Sequence, residues 1–280
     1  MTSIQRGFCM RLFHLIASMF ALLFCCTAIA EETVPFRGYD PETHSYQYVT
    51  FGTYPYTEEG NDAPVLWRVL GPGTPGDDDV LVAEEVAAYN KDKYSNGDAF
   101  TEDTADVYCL MTEYIIDTVL YNDVRDEEGG PTLDYWDTLI YRSLNGEILG
   151  RLLTDSEQSA LLEMPGRGML SLPSRKGELF RRDYGFADGD FTKDRRRRAA
   201  GTPYAFSQGL RHISGVYSWH WTTDWRAYGR RWIVGDDGHI SVSGLDREGG
   251  IRPVIYVHTD MLRAAGGSGT LEDPYQLVIR

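Results

Sequence analysis

The residues best suited to chemistry stand close together late in the chain. Trp219, Trp221, Asp224, Trp225 and Arg226 fall within one short block. An indole face stacks on apolar C–H surface, while a carboxylate and a guanidinium hydrogen-bond to hydroxyls or to an acidic group, so the set is a candidate platform for a saccharide or a peptide. On a strand, alternation puts Trp219 and Trp221 on one face and His220 on the other. Burial in a core is the more ordinary fate of two such indoles, each of which hides a large flat surface and needs a partner for its N–H.

Other constellations are weaker. Asp188 to Asp194 carries side-chain oxygens at alternate positions, as a calcium loop does, but lacks glycine at the sixth place and has Ala199 at the twelfth, which favours a plain charged loop. Asp77-Asp78-Asp79 reads as a hairpin tip. The run Arg195 to Arg198 lies beside Asp188, Asp190 and Asp194 and predicts a solvated, locally compensated loop, with a basic docking spot as the alternative. No nucleophile elbow, phosphate loop or dinucleotide fingerprint occurs. Carboxylates are plentiful, so a two-carboxylate hydrolase around Asp224 stays open as an alternative. No catalytic residue, cofactor or metal ligand is assigned.

Residues 1–30 have the grammar of a secretory signal. Arg6 and Arg11 precede the apolar stretch Leu12 to Cys26, and Ala28-Ile29-Ala30 places cleavage before Glu31. Export to the periplasm or the extracellular space is the expectation; acylation on Cys25 or Cys26 is the weaker alternative, because Phe24 precedes the first of them. Cleavage removes three of the four cysteines and leaves Cys109 in an apolar run, where it reads as a small buried hydrophobe. The mature chain then forms no internal disulfide. A chain of that length buries about 70 to 75% of its unfolded surface and needs none. The whole chain carries a net charge of −15, which falls to −17 without Arg6 and Arg11. That balance argues against nucleic-acid partners. No later apolar stretch approaches membrane-spanning length, so no integral membrane segment is expected in the mature chain.

The elements that must position these groups follow from local pattern. Residues 31–45 read as a lead-in. Tyr46 to Phe51 predicts a strand ending at Gly52, and Val65 to Leu70 with Val80 to Ala83 a long-looped hairpin. Leu110 to Tyr121 carries apolar residues close to a helical stripe. A helix is predicted from about Asp134 to Leu144, interrupted at Asn145-Gly146, and a second from Asp155, started by the capping box Thr154-Asp155-Ser156-Glu157. Met169 to Leu172 is a strand candidate and Arg175 to Tyr184 a helix candidate. Tyr217 to Thr222, Arg231 to Val234, His239 to Val242 and Ile251 to Val257 are the late strands. A single α+β domain at 46–258 is expected, with an enlarged loop at 90–133 and a tail at 259–280 holding a last strand from Pro274. The late indoles are expected to dock against the Phe51 and Trp67 segments.

The order of motifs resembles a bacterial family of extracytoplasmic domains of unknown function. It is carried by Phe51-Gly52-Thr53-Tyr54-Pro55, Trp67-Arg68-Val69-Leu70, Arg142-Ser143-Leu144-Asn145, Thr202-Pro203-Tyr204-Ala205, Trp219 to Trp225, Asp237-Gly238 and Gly250-Ile251-Arg252-Pro253. The resemblance covers residues 46–258 except the segment from Asn90 to Leu133. Where the family tends to Trp-Leu-Arg-Ser this chain has Trp-Thr-Thr-Asp, and the nearest arginine is Arg226. The resemblance implies a C-type-lectin-like fold shared with formylglycine-generating enzymes: an irregular antiparallel sheet, first and last strands paired, and two or more flanking helices. Copper-dependent enzymes of that fold need two thiols and iron-dependent relatives a histidine cluster. The mature chain has one thiol, and His44, His212, His220, His239 and His258 include no pair at helical spacing.

These features favour a secreted or periplasmic binding module, more a non-enzyme than an enzyme, with a saccharide or protein as ligand. A carboxylate-dependent hydrolase is the second expectation. The third is a cell-envelope structural domain whose loop at 90–133 exposes Leu110, Tyr114 and Ile115 to a partner.

Overall fold

The computed structural model describes residues 35–72, 106–121, 138–163, 168–173, 184–187, 192–226 and 230–280, without the side chains of 224–226. Val34–Arg280 forms one compact unit. The segment expected to be a signal, the arm Val80 to Ala83, the segment 90–105, the start of the helix expected at Asp134, the helix expected within Arg175 to Tyr184 and the calcium-like loop Asp188 to Phe191 fall outside the described residues.

Two open sheets dominate, with few and short helices, so the class is α+β. In the first sheet β1 (Gln47–Pro55) pairs antiparallel with β2 (Asp62–Pro72), which pairs with β3 (Val107–Thr112). The second sheet places β4 (Asp117–Leu120), β10 (Glu248–Ile251), β7 (His220–Arg226), β8 (Arg230–Val234) and β9 (Ile240–Gly244) side by side. A two-stranded ribbon joins β5 (Ala199–Ala200) to β6 (Tyr217–Ser218). The first sheet is completed by β11 (Val254–His258) beside β3, and by β12 (Leu262–Gly266) and β13 (Tyr275–Ile279) beyond β1. β13 pairs parallel with β1. The last strand expected from Pro274 is thus β13, an internal strand of the main sheet, and the segment before it supplies the edge strand β12.

Sequence pattern explains most of this, and also where pattern misleads. Gly52 does not end β1: it takes φ +70°, the register shifts between Thr50 and Thr53, and the strand continues to Pro55. A Cβ there would overlap the Leu152 carbonyl, so glycine supplies both the bulge and the close approach. Leu110 to Tyr121 is not helical but contributes β3 and β4. β3 is covered on both faces, with Leu110 in one buried cluster and Cys109 and Met111 in another, and a run that is apolar on both sides has no period to read. Ile251 to Val257 is not one strand either. It breaks at Arg252-Pro253, and the chain crosses there from the second sheet to the first.

The helices are brief. α1 (Leu139–Ser143), capped by the Thr138 hydroxyl, runs through a π-helical turn at Leu144–Ile148 into α2 (Leu149–Leu152), so the interruption expected at Asn145-Gly146 is a widened turn rather than a break. The Asn145 side chain accepts from the N–H groups of Met169 and Leu170 and donates to the Leu170 carbonyl, and so holds that strand candidate in place. Ser171 makes an isolated bridge to Val254. α3 (Asp155–Gln158) begins in the expected capping box, with both reciprocal bonds formed between Thr154 and Glu157. α4 (Pro203–Ser207) has Thr202 as its cap and proline at its first position.

The core has two main parts. One joins Val49, Phe51, Trp67, Leu110 and Ile255 to Leu144, Ile148 and Leu152 of the helical segment and to Trp219 and Trp221. The other sets Leu70, Cys109, Met111 and Tyr256 of the first sheet against Trp232, Val234 and Ile240 of the second. The late indoles and the early strands therefore share one buried cluster.

Candidate functional site

Trp219 and Trp221 belong to the core. Trp221 is 0% exposed and Trp219 9%. Their rings meet edge-on with centroids 4.8 Å apart, Tyr121 packs on Trp221 at 4.9 Å, and the Trp221 indole N–H donates to the Val119 carbonyl at 3.1 Å. Gly249 makes room for both rings, since any Cβ there would collide with them. Neither indole offers a free face, so the expected platform of paired indoles is corrected: burial and aromatic packing took both. Asp224, Trp225 and Arg226 lie on β7 with Trp225 paired to Arg231 and Arg226 to Arg230, and their side chains are outside the described residues.

A different group converges where the end of β1, the start of β4, α2 and α4 meet. The Tyr54 hydroxyl donates to Asp117 Oδ2 at 2.5 Å, and the Thr118 N–H to Asp117 Oδ1 at 2.7 Å. Arg151, in the last turn of α2 where its charge suits the helix dipole, donates from Nη1 to the Tyr204 hydroxyl at 3.2 Å. Its guanidinium lies 5.5 Å from the Tyr54 ring centroid and 5.4 Å from that of Tyr204, and the two rings stand edge to face at 6.0 Å. Tyr204 is fixed from behind by α4 and by its own N–H, which donates to the Tyr56 carbonyl at 3.0 Å. Tyr56, 40% exposed, meets Tyr114 edge-on at 6.4 Å.

The electrostatics follow from burial. Asp117 is held above the usual carboxylate range, chiefly because burial penalises its charge; the bonds from Tyr54 and Thr118 and the charge of Arg151 act the other way. Burial, and then Asp117, raise the Tyr54 phenol. The group combines phenol faces, a positioned guanidinium and a partly desolvated carboxyl, which suits hydroxyl-rich ligands. Sequence reasoning missed it because its members come from four distant segments. The available signal was that Tyr54 and Tyr204 both sit inside the quoted motifs.

A second group is interior. Arg68 of β2 makes a two-pronged pair with Glu113, Nε to Oε2 at 2.9 Å and Nη2 to Oε1 at 2.8 Å, and donates from Nη1 to the Arg196 carbonyl at 2.8 Å. Arg252, 0% exposed, donates from Nε to the Thr112 carbonyl at 2.8 Å and from Nη1 to the Arg197 carbonyl at 2.9 Å. Its Nη2 has no protein partner, and burial together with the charge of Arg68 pulls its pKa down to about 9. His220 is fully buried, pairs in register with Gly250, and finds no partner for either ring nitrogen. Desolvation, then Arg252, hold it well below its ordinary range.

This group also corrects the expected solvated arginine loop. Arg197 is buried, and it donates to the Thr192 and Ala187 carbonyls, while Arg196 donates to that of Gly185 and Arg198 to that of Asp236. The Arg198 guanidinium also stacks 3.6 Å over Tyr217. Asp194 accepts from the N–H groups of Ala187 and Arg196. The run is a knot of main-chain contacts, because planar guanidinium forks satisfy carbonyls that a loop would otherwise leave to water.

The remaining candidates are quickly placed. Leu110 and Ile115 are fully buried and Tyr114 half-buried, so these three form no exposed apolar patch. Cys109 is a free, buried thiol pushed up to about 12 by desolvation. Among the described residues no cluster of metal-ligating side chains occurs and no helix is long and apolar enough to cross a membrane. Compared with protein-family models, curated proteins and solved structures, the chain matches none.

Proposed function

We propose that this chain is an exported binding module with a C-type-lectin-like layout, and that it holds a saccharide at the Tyr54–Asp117–Arg151–Tyr204 group. The observation that carries the proposal is the guanidinium held against two phenol rings beside a hydrogen-bonded carboxyl, with the exposed Tyr56 joined to Tyr204 through its backbone carbonyl. Sugar hydroxyls need polar groups already in position, and sugar C–H faces need an aromatic surface. The layout is supported by the pairing of the first strand with the last and by the helices flanking the main sheet. Export is supported by the residue order of positions 1–30.

The test is a screen of the purified chain and its Tyr56→Ala variant against glycans and cell-wall fragments. Binding by the wild type, weakened about tenfold by Tyr56→Ala, supports the proposal. No binding by either chain sinks it. The raised Asp117 carboxyl favours hydrolysis as a second reading, since a carboxyl that ionises less readily than usual is better suited to pass a proton to a leaving oxygen. Both Asp117 oxygens already accept bonds, which weighs for binding. Release of new reducing ends, abolished in Asp117→Asn, would decide for the hydrolase.

A further inference from the structure

We infer that the saccharide carries an anionic group, a carboxylate or a sulfate, received by Arg151; this rests on the saccharide proposal above. Arginine presents a planar fork of donors that matches an oxyanion two bonds at a time. In most exposed arginines that fork is mobile, and ordering it opposes binding. Here the cost is met within the fold. The guanidinium rests against the Tyr54 and Tyr204 rings, and the Tyr204 hydroxyl takes one Nη1 donor. Among the described residues its other donors take no hydrogen-bond partner.

Among the described residues no carboxylate forms an ion pair with Arg151. Asp117 is the acid whose charge acts on it, and Asp117 is bonded to Tyr54 and Thr118 instead. Glu147, the other acid acting on Asp117, is exposed on the π-helical turn. Arg151 is therefore an ordered cation that no carboxylate pairs directly among the described residues, on a chain whose net charge is −15. That overall charge sharpens the inference. A polyanion is repelled by the chain as a whole, so binding needs a local cation that is already in place. The exposed Tyr56 ring, which packs edge-on against Tyr114 on a backbone bonded to the Tyr204 N–H, supplies a stacking surface for the neighbouring sugar unit.

The experiment is calorimetric titration with three probes of similar chain length: an oligogalacturonate, a neutral cello-oligosaccharide and a dextran sulfate. Each is measured on wild type, Arg151→Gln and Tyr204→Phe. Wild type should bind at least one anionic probe about tenfold more tightly than the neutral one, with the preference lost in Arg151→Gln and reduced in Tyr204→Phe, where the fork loses its anchor. Preference for the oligogalacturonate alone identifies a carboxylate, and equal binding of both anionic probes a general oxyanion; either supports the inference. Equal binding of the neutral probe, unaffected by Arg151→Gln, overturns it and leaves the saccharide proposal standing. Binding of none of the three, with glycans and wall fragments also negative, overturns both. Thermal melting controls for folding, and the exposed Arg151 should leave it unchanged.

Discussion

His220 should make this protein sensitive to mild acid in a way that one substitution removes. The side chain is 0% exposed, neither ring nitrogen has a protein partner, and the buried Arg252 lies near it. His220 pairs with Gly250 of β10, and Arg252 stands just past the end of that strand, where the chain leaves the second sheet. The other charged groups around Arg252 are Arg68 and Glu113, which are occupied with each other, and the phenols Tyr46 and Tyr48. Protonated His220 would thus place a second cation against a first without a carboxylate of its own. The folded-state pKa lies well below the ordinary 6.5, so the unfolded chain binds the proton first. Stability from this group is complete above pH 6.5 and declines as pH falls from 6.5 toward the folded-state value, by about 1.4 kcal/mol per pH unit for one proton. Between pH 6.5 and 4.5 the wild type should lose up to about 2 kcal/mol more than His220→Leu. Because the imidazole makes no bonds, His220→Leu should cost little at pH 7.5. Urea unfolding of both chains at pH 7.5, 6.5, 5.5 and 4.5 reads the difference directly, with carboxylate titrations common to the two cancelling. Parallel pH profiles would show that the imidazole is solvated or charged in the native state, and the reasoning would fail.

Two further substitutions test the interior. Glu113→Gln strands the buried Arg68 guanidinium and should cost about 3 kcal/mol in urea unfolding at neutral pH, since removing one member of a buried pair leaves the other's charge uncompensated; a loss below about 1 kcal/mol would mean that the Arg196 carbonyl and Tyr48 suffice. Trp221→Ala should cost about 3 to 5 kcal/mol, by opening a cavity beside Trp219 and Tyr121 and leaving the Val119 carbonyl without its donor. Retained stability with lost saccharide binding would instead return Trp221 to the ligand site.

What could be read from the chain before any coordinates was mainly local. The capping box at Thr154, the bulk of β1, β2 and β7 to β9, and the union of the Trp221 block with Phe51 and Trp67 all follow from patterns a few residues long plus the demand of large aromatics for burial. Illegible were the features decided by what lies on the far side of an element. β3 looked like a helix because both of its faces are covered, and the β10 to β11 crossover was hidden because each half is apolar in its own sheet. The arginine run misled for a related reason. Composition reports four charges, but not that the forks of Arg196, Arg197 and Arg198 end on main-chain carbonyls. The site tyrosines were in view as motif letters, with nothing local to say that positions 54 and 204 meet.

The two polar groups are linked, and the link explains why the interior tolerates so costly a cation. Arg68 and Arg252 hold the adjacent carbonyls of Arg196 and Arg197, which anchors the turn leading into β5. Immediately beyond, the Ile115 N–H donates to the Ala200 carbonyl at 2.8 Å and the Thr202 N–H to the Ile115 carbonyl at 2.9 Å. Two short segments, Glu113 to Asp117 and Arg197 to Tyr204, are thereby tied rung by rung. Each begins at an interior arginine's partner and ends at a residue of the proposed site. The Thr202 hydroxyl then caps α4 through the Ala205 N–H at 3.1 Å, which sets the direction in which Tyr204 projects toward Arg151. A buried guanidinium bonded to carbonyls is a poor source of net stability but a strict determinant of geometry, since its donors accept only one arrangement of the chain around them. On this argument the interior arginines serve the surface group: they fix the spacing between Asp117 and Tyr204 that lets one guanidinium rest against two phenol rings.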